Sequence, residues 1–184
     1  RICQGSTTVL SDATPFGTWT SSLTTVGTIS SITGTAGGIS GGTTTNTYTV
    51  SLTGCTALAT LTVDAVAPIT GSPGVCIGQT TNLSDAIGGG TWSSLCPTIF
   101  TVGSTSGVVT GVSTGTCTVT YTNPNGCTST AVITVNALPG TINGPSSVCQ
   151  GSTITLTDAT GGGTWSEAAT QISIPVPSTG TSVV

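Results

Sequence analysis

The chain has 184 residues, of which one is basic and five are acidic, for a formal net charge of -4. Arg1 is the only cation, which excludes the Lys and Arg footprint of a nucleic-acid binder and of a basic membrane-surface patch. With no Lys and no His there is no Ser-His-Asp, Cys-His or Ser-Lys arrangement to activate a nucleophile, so the chain reads as a non-enzyme without catalytic residues.

In chain order the dominant feature is a repeat. Cys3, Cys76 and Cys149 lie 73 residues apart, and each is followed sixteen residues later by a tryptophan, Trp19, Trp92 and Trp165. Such a period marks a tandem array. It divides the chain into a first repeat over 1–65 that lacks its first strand, a complete second repeat over 66–137, and a third over 138–184 that lacks its C-terminal strands. Ala65 to Pro68 and Ala137 to Pro139 read as linkers.

Within the repeats, apolar residues alternate with Thr or Ser, as in Thr116–Thr122, Ala131–Val135 and Thr153–Thr157. Alternation with β-branched residues predicts half-buried strands. In the second repeat they are expected near 67–72, 79–84, 90–95, 99–103, 107–112, 115–122 and 128–136. No stretch has helical spacing, so no helix longer than one turn is expected. Seven short strands between turn signals predict an all-β chain of tandem immunoglobulin-like sandwiches.

Hydration falls to Thr and Ser, whose hydroxyls also accept O-linked sugar. The same Thr content suits strand surfaces. Seven cysteines without CxxC pairs or His point to disulfides in an oxidising compartment rather than a metal site. The expected setting is extracellular or cell-surface, on a glycosylated chain with no cofactor and no membrane insertion. No apolar run is long enough to span a bilayer, and any signal peptide is expected to be cleaved or to lie outside this segment.

The run Trp92-Ser93-Ser94, Val102, then Ser106-Gly107-Val108-Val109-Thr110-Gly111-Val112 to Gly115-Thr116-Cys117-Thr118-Val119 resembles the bacterial immunoglobulin-like domain, group 2. That family carries W-x-S, V-x-x-x-x-G-x-V-x-G and G-T-x-x-I/V phrases. Gly37-Gly38-Ile39-Ser40-Gly41 stands in place of the central phrase in the first repeat, with about four extra residues around it. The resemblance implies a surface adhesin or its stalk, partnered by its own neighbours in an array or filament.

Cys55 and Cys127 each follow a glycine at the same point of their repeats, so the expected bridges are Cys3–Cys55 and Cys76–Cys127. On the family template each would tie the sandwich's first edge to its end. Cys149 has no mate in this window. Cys96 and Cys117, aligned on Leu23 and Tyr48 of the first repeat, suggest a third bridge through the sandwich.

Asp12, Asp85 and Asp158 share one repeat position before a Gly-rich turn. They read either as metal or glycan contacts or as acceptors for turn N–H groups. Asp64, near a linker, invites calcium, but Asn136 at the matching place argues against it. Gly88-Gly89-Gly90 and Gly161-Gly162-Gly163 are not phosphate loops, since no Lys follows. Trp19, Trp92 and Trp165 are expected in the core rather than as sugar platforms. Asn82-Leu83-Ser84 is a sequon for N-linked sugar that the other repeats lack. One Thr-x-Thr rank per repeat, such as Thr116 to Thr122, leaves a surface-binding module for polysaccharide or ice as the alternative, with the stalk of a secreted enzyme as another.

Overall fold

The computed structural model describes residues 1–160, 163–166 and 181–183. They fall into two units, Arg1–Asn136 and Ala137–Val184. No helix occurs among the described residues, and the fold is all-β with immunoglobulin-like sandwiches.

The first unit holds two sandwiches. The first contains β1 (Ile2–Cys3), β2 (Thr7–Val9), β3 (Gly17–Ser21), β4 (Gly27–Ile29), β5 (Thr35–Gly38), β6 (Gly42–Val50) and β7 (Thr56–Asp64). Its sheets run β1-β7-β6-β3 and β2-β5-β4. The second contains β8 (Thr70–Gly71), β9 (Gly74–Cys76), β10 (Thr80–Ser84), β11 (Thr91–Ser94), β12 (Phe100–Val102), β13 (Val108–Gly111), β14 (Gly115–Thr122) and β15 (Thr128–Asn136). Its sheets run β9-β15-β14-β11 and β8-β10-β13-β12.

The alternation seen in the sequence becomes the two faces of each sheet. On β14, Val119 and Tyr121 point inward while Thr116 and Thr118 stay exposed. They meet Trp92, Ile133 and Val135 of their own sheet and Leu83, Phe100 and Val109 of the facing one. The first sandwich is lighter inside, with Ala36, Leu61 and Val63 at the centre and Ile2, Leu10, Val26 and Ile29 against them.

Two sequence expectations change. A further strand falls between the expected 67–72 and 79–84: β9 lies parallel to the end of β15, Asn136 opposite Cys76, as β1 lies parallel to the end of β7, Asp64 opposite Cys3. There is also no insertion around Gly37–Gly41. Trp19 faces Tyr48 as Trp92 faces Tyr121, and β5 follows as β13 does, so the repeats stay in step up to the β6–β7 turn. That turn, Val50–Cys55, is one residue longer than Asn123–Cys127.

In the second unit, β16 (Thr155–Thr157) pairs antiparallel with β17 (Thr181–Val183) and bridges Asn143. Trp165 is half-buried. The expected third-repeat strands beyond it lie largely outside the described residues.

Candidate functional site

Among the described residues, polar and covalent groups converge where the first sandwich meets the second. β7 ends at Asp64, whose side chain is 6% exposed. Arg1 reaches it through Nε at 3.3 Å. Asn125 donates from Nδ2 to Asp64 Oδ1 at 3.1 Å and accepts from Arg1 Nη1 at 3.0 Å. One carboxylate therefore ties the first sandwich to the β14–β15 turn of the second.

That turn is built by Asn123. Its Oδ1 accepts the N–H groups of Asn125 at 2.9 Å and Cys127 at 3.0 Å, and its Nδ2 donates to the linker carbonyl of Ala65 at 3.1 Å. Asn suits the task because one planar amide offers both an acceptor and donors. Gly126, at φ 87°, closes the turn in the left-handed region. Below it Cys127, 2% exposed, is bonded to Cys3 with Cα atoms 5.6 Å apart.

This corrects the expected Cys3–Cys55 and Cys76–Cys127 bridges. Within a sandwich the two cysteines lie at opposite ends of the last strand. Cys76 stands beside Asn136, while Cys127 precedes Thr128 at the strand's start. Nine residues of strand separate them by about 30 Å, far beyond the ~7 Å Cα limit for a disulfide. The start of one sandwich's last strand instead meets the end of its predecessor's. Cys55, Cys76 and Cys149 carry no bond among the described residues.

Cys96 and Cys117 are bonded, with Cα atoms 6.3 Å apart. Tyr48 is the counterpart of Tyr121, not of Cys117, since each faces the repeat's tryptophan. The residue matching Cys117 is Thr44, whose Oγ1 meets Ser21 Oγ at 2.8 Å and the Leu23 N–H at 3.1 Å. A buried hydroxyl clamp in one sandwich is thus a covalent clamp in the next.

The other expected site residues serve the fold. Asp12, Asp85 and Asp158 accept the N–H groups of Thr14, Ile87 and Thr160 at 2.8, 2.8 and 2.6 Å. Trp19 and Trp92 are buried, with ring centroids 4.9 and 4.7 Å from Tyr48 and Tyr121. Tyr48 Oη donates to Thr14 O and accepts the Gly17 N–H; Tyr121 does the same with Ile87 O and the Gly90 N–H. Asn82 is exposed on β10 opposite Val108. Among the described residues no group of three His, Cys, Asp or Glu side chains is placed to hold a metal.

The joint was missed in the sequence because its halves lie on different repeats. Asp64 ends the first where Asn136 ends the second, and Asn123 replaces Val50 in the turn. That complementary departure from the repeat was its one signal.

The Thr ranks also exceed the expected one per repeat. On adjacent strands Thr18 and Thr20 face Thr49 and Thr47, while Thr43, Thr45 and Thr49 face Thr62, Thr60 and Thr56. The second sandwich repeats this with Thr91 facing Thr122, and Thr116, Thr120 and Thr122 facing Thr134, Thr130 and Thr128.

No protein-family model matches the chain, and no curated protein does. Among solved structures it is similar to the C-terminal 282-residue fragment of intimin, crystallised with the translocated intimin receptor's intimin-binding domain, at 22% identity and TM-score 0.46. That match covers 67% of this chain and 53% of the fragment. The S-layer protein SbsC fragment 31–844 matches at 19% identity and TM-score 0.28, over 92% of this chain and 32% of that one. The human desmocollin-1 ectodomain matches at 11% and 0.27, over 91% and 45%. The chain thus spans about half of the intimin fragment and a third of the SbsC one, and TM-scores below 0.5 leave these likenesses without weight on function.

Proposed function

We propose that the chain is a structural and adhesive segment of an extracellular bacterial filament or giant surface adhesin, built from immunoglobulin-like repeats fixed in series, and that it catalyses no reaction. The observation that carries this reading is the Cys3–Cys127 bond, a covalent tie between two successive sandwiches rather than within one. A catalytic or transport domain gains nothing from locking neighbours end to end, whereas an array that must keep its reach does. A disulfide of this kind persists in an oxidising, extracellular compartment. The nearly uncharged surface of outward Thr supports a glycan-bearing exterior. The partner in this reading is the repeat itself.

Electron microscopy of the native material tests it. Slender rods or filaments with an axial spacing of about 40 Å, one sandwich by strand rise and turns, are the expected result. Compact, unserial particles would overturn it.

A second reading is favoured by the Thr ranks on three adjacent strands of both sandwiches. Such a hydroxyl lattice would dock on an extended polysaccharide or on ice. Thermal hysteresis and cosedimentation with insoluble glycans separate this reading from the first; no activity in either would remove it.

A further inference from the structure

Cys76 stands where Cys3 stands. Cys3 lies opposite Asp64 on a parallel last strand, and Cys76 lies opposite Asn136. The N–H of Gln4 donates to Asp64 O at 2.8 Å, and that of Ile77 to Asn136 O at 3.0 Å. Gly5 N–H donates to Gly38 O and Gly78 N–H to Gly111 O, both at 2.9 Å. Ser6, Gln79 and Ser152 each donate to the carbonyl of their own repeat's first cysteine, at 3.0, 3.0 and 2.9 Å. The backbone frame that presents Cys3 to its partner is therefore rebuilt around Cys76, and its turn also around Cys149. Cys55 has the matching opposite role. It follows Gly54, at φ 71°, as Cys127 follows Gly126, and its carbonyl accepts the Val50 N–H as that of Cys127 accepts the Asn123 N–H. Cys55 and Cys149 are exposed and Cys76 is partly so.

From this equivalence we propose that Cys55, Cys76 and Cys149 are halves of the same inter-repeat bridge seen in Cys3–Cys127. Cys76 and Cys149 are each bonded to the turn cysteine of a further copy of this repeat, and Cys55 to the first cysteine of another copy. The inference rests on the serial-array reading and adds a covalent linkage between every repeat and its neighbour. It assigns polarity: first-position cysteines pair only with turn-position cysteines, never with their own kind. The bond forms by exchange with a small disulfide such as oxidised glutathione. One thiolate attacks that disulfide and releases one thiol, then the second thiolate displaces the other, so two electrons and two protons leave with two reduced glutathione molecules.

Disulfide mapping of the native protein tests this. The material is isolated with iodoacetamide present, cleaved with pepsin at low pH because the chain offers trypsin one Arg and no Lys, and analysed by mass spectrometry before and after reduction. The Cys55, Cys76 and Cys149 peptides are expected in first-to-turn pairs, with no alkylated form until reductant is added. A ladder of masses collapsing on reduction would place the further copy on another polypeptide; an unchanged mass would place it on the same one. Free alkylated thiols, Cys76–Cys127 pairs, or pairs between two first-position cysteines would overturn the proposal. Rods in the micrographs together with free thiols would remove this inference and leave the array. Mapped pairs without rods would do the reverse.

Discussion

Asn46 stands in the first sandwich where Val119 stands in the second; both are fully buried, and neither polar atom of Asn46 has a hydrogen-bond partner among the described residues. The first sandwich also has Gly27, close to Thr44 and Leu61, where the second has Phe100. The two sandwiches share a fold but not a core, and the first carries an uncompensated amide.

Asn46→Val is therefore expected to stabilise the first sandwich. An unpaired buried polar group costs about 1–3 kcal/mol, and valine is close in volume. Urea unfolding of the variant should move the transition of the first sandwich upward by that amount and leave the second in place. No gain would mean that Asn46 has a partner in solution.

Removing the joint's bridge should cost more than removing the internal one. Cys3–Cys127 closes a sequence separation of 124 residues and Cys96–Cys117 one of 21. On the chain-entropy model these correspond to about 5 and about 3 kcal/mol. In calorimetry Cys3→Ser should lower the transitions of both sandwiches, while the Cys96→Ala, Cys117→Ala double variant should lower only that of the second sandwich.

Within the polar joint, Asn123 should outweigh Asp64. Asn123→Ala abandons three hydrogen bonds at a buried turn, at about 2–3 kcal/mol. The Arg1 side chain is 60% exposed, so Asp64→Asn, which copies Asn136, should cost about 1 kcal/mol or less. Unfolding midpoints of both variants in the oxidised chain check the order.

Two neighbouring glycines should respond oppositely. A Cβ on Gly90 would collide with the Thr122 carbonyl oxygen and the Tyr121 ring, whereas one on Gly88 meets nothing within 4 Å. Gly90→Ala should destabilise by about 2 kcal/mol or more, through loss of the tyrosine contact. Gly88→Ala should be neutral or gain up to ~1 kcal/mol from a stiffer unfolded chain. Thermal melts of the two variants decide this.

β14 and the end of β15 were legible because Thr alternates with Val, Ile and Tyr there, and a two-residue period has one structural meaning. β9 was not, because Gly74-Val75-Cys76 is too short to show a period and is held by a parallel neighbour from the far end of the repeat. The cysteine pairing failed for a related reason. Two cysteines per repeat invite closure within the repeat, and only the direction of the last strand shows that they sit at opposite ends of it. Cys96 and Cys117 were legible as a joint departure from the repeat, even though the residue that Cys117 replaces is Thr44.

A chain pulled from its two ends would feel Cys3–Cys127 as a shunt. Tension entering at Arg1 crosses to Cys127 after two residues of backbone and continues along β15, so that the intervening polypeptide, with nearly all of both cores, carries none of it. The bypassed span, a separation of 124 residues, holds about 400 Å of slack that no force below that of breaking a covalent bond can draw out, and that a reductant would release at once.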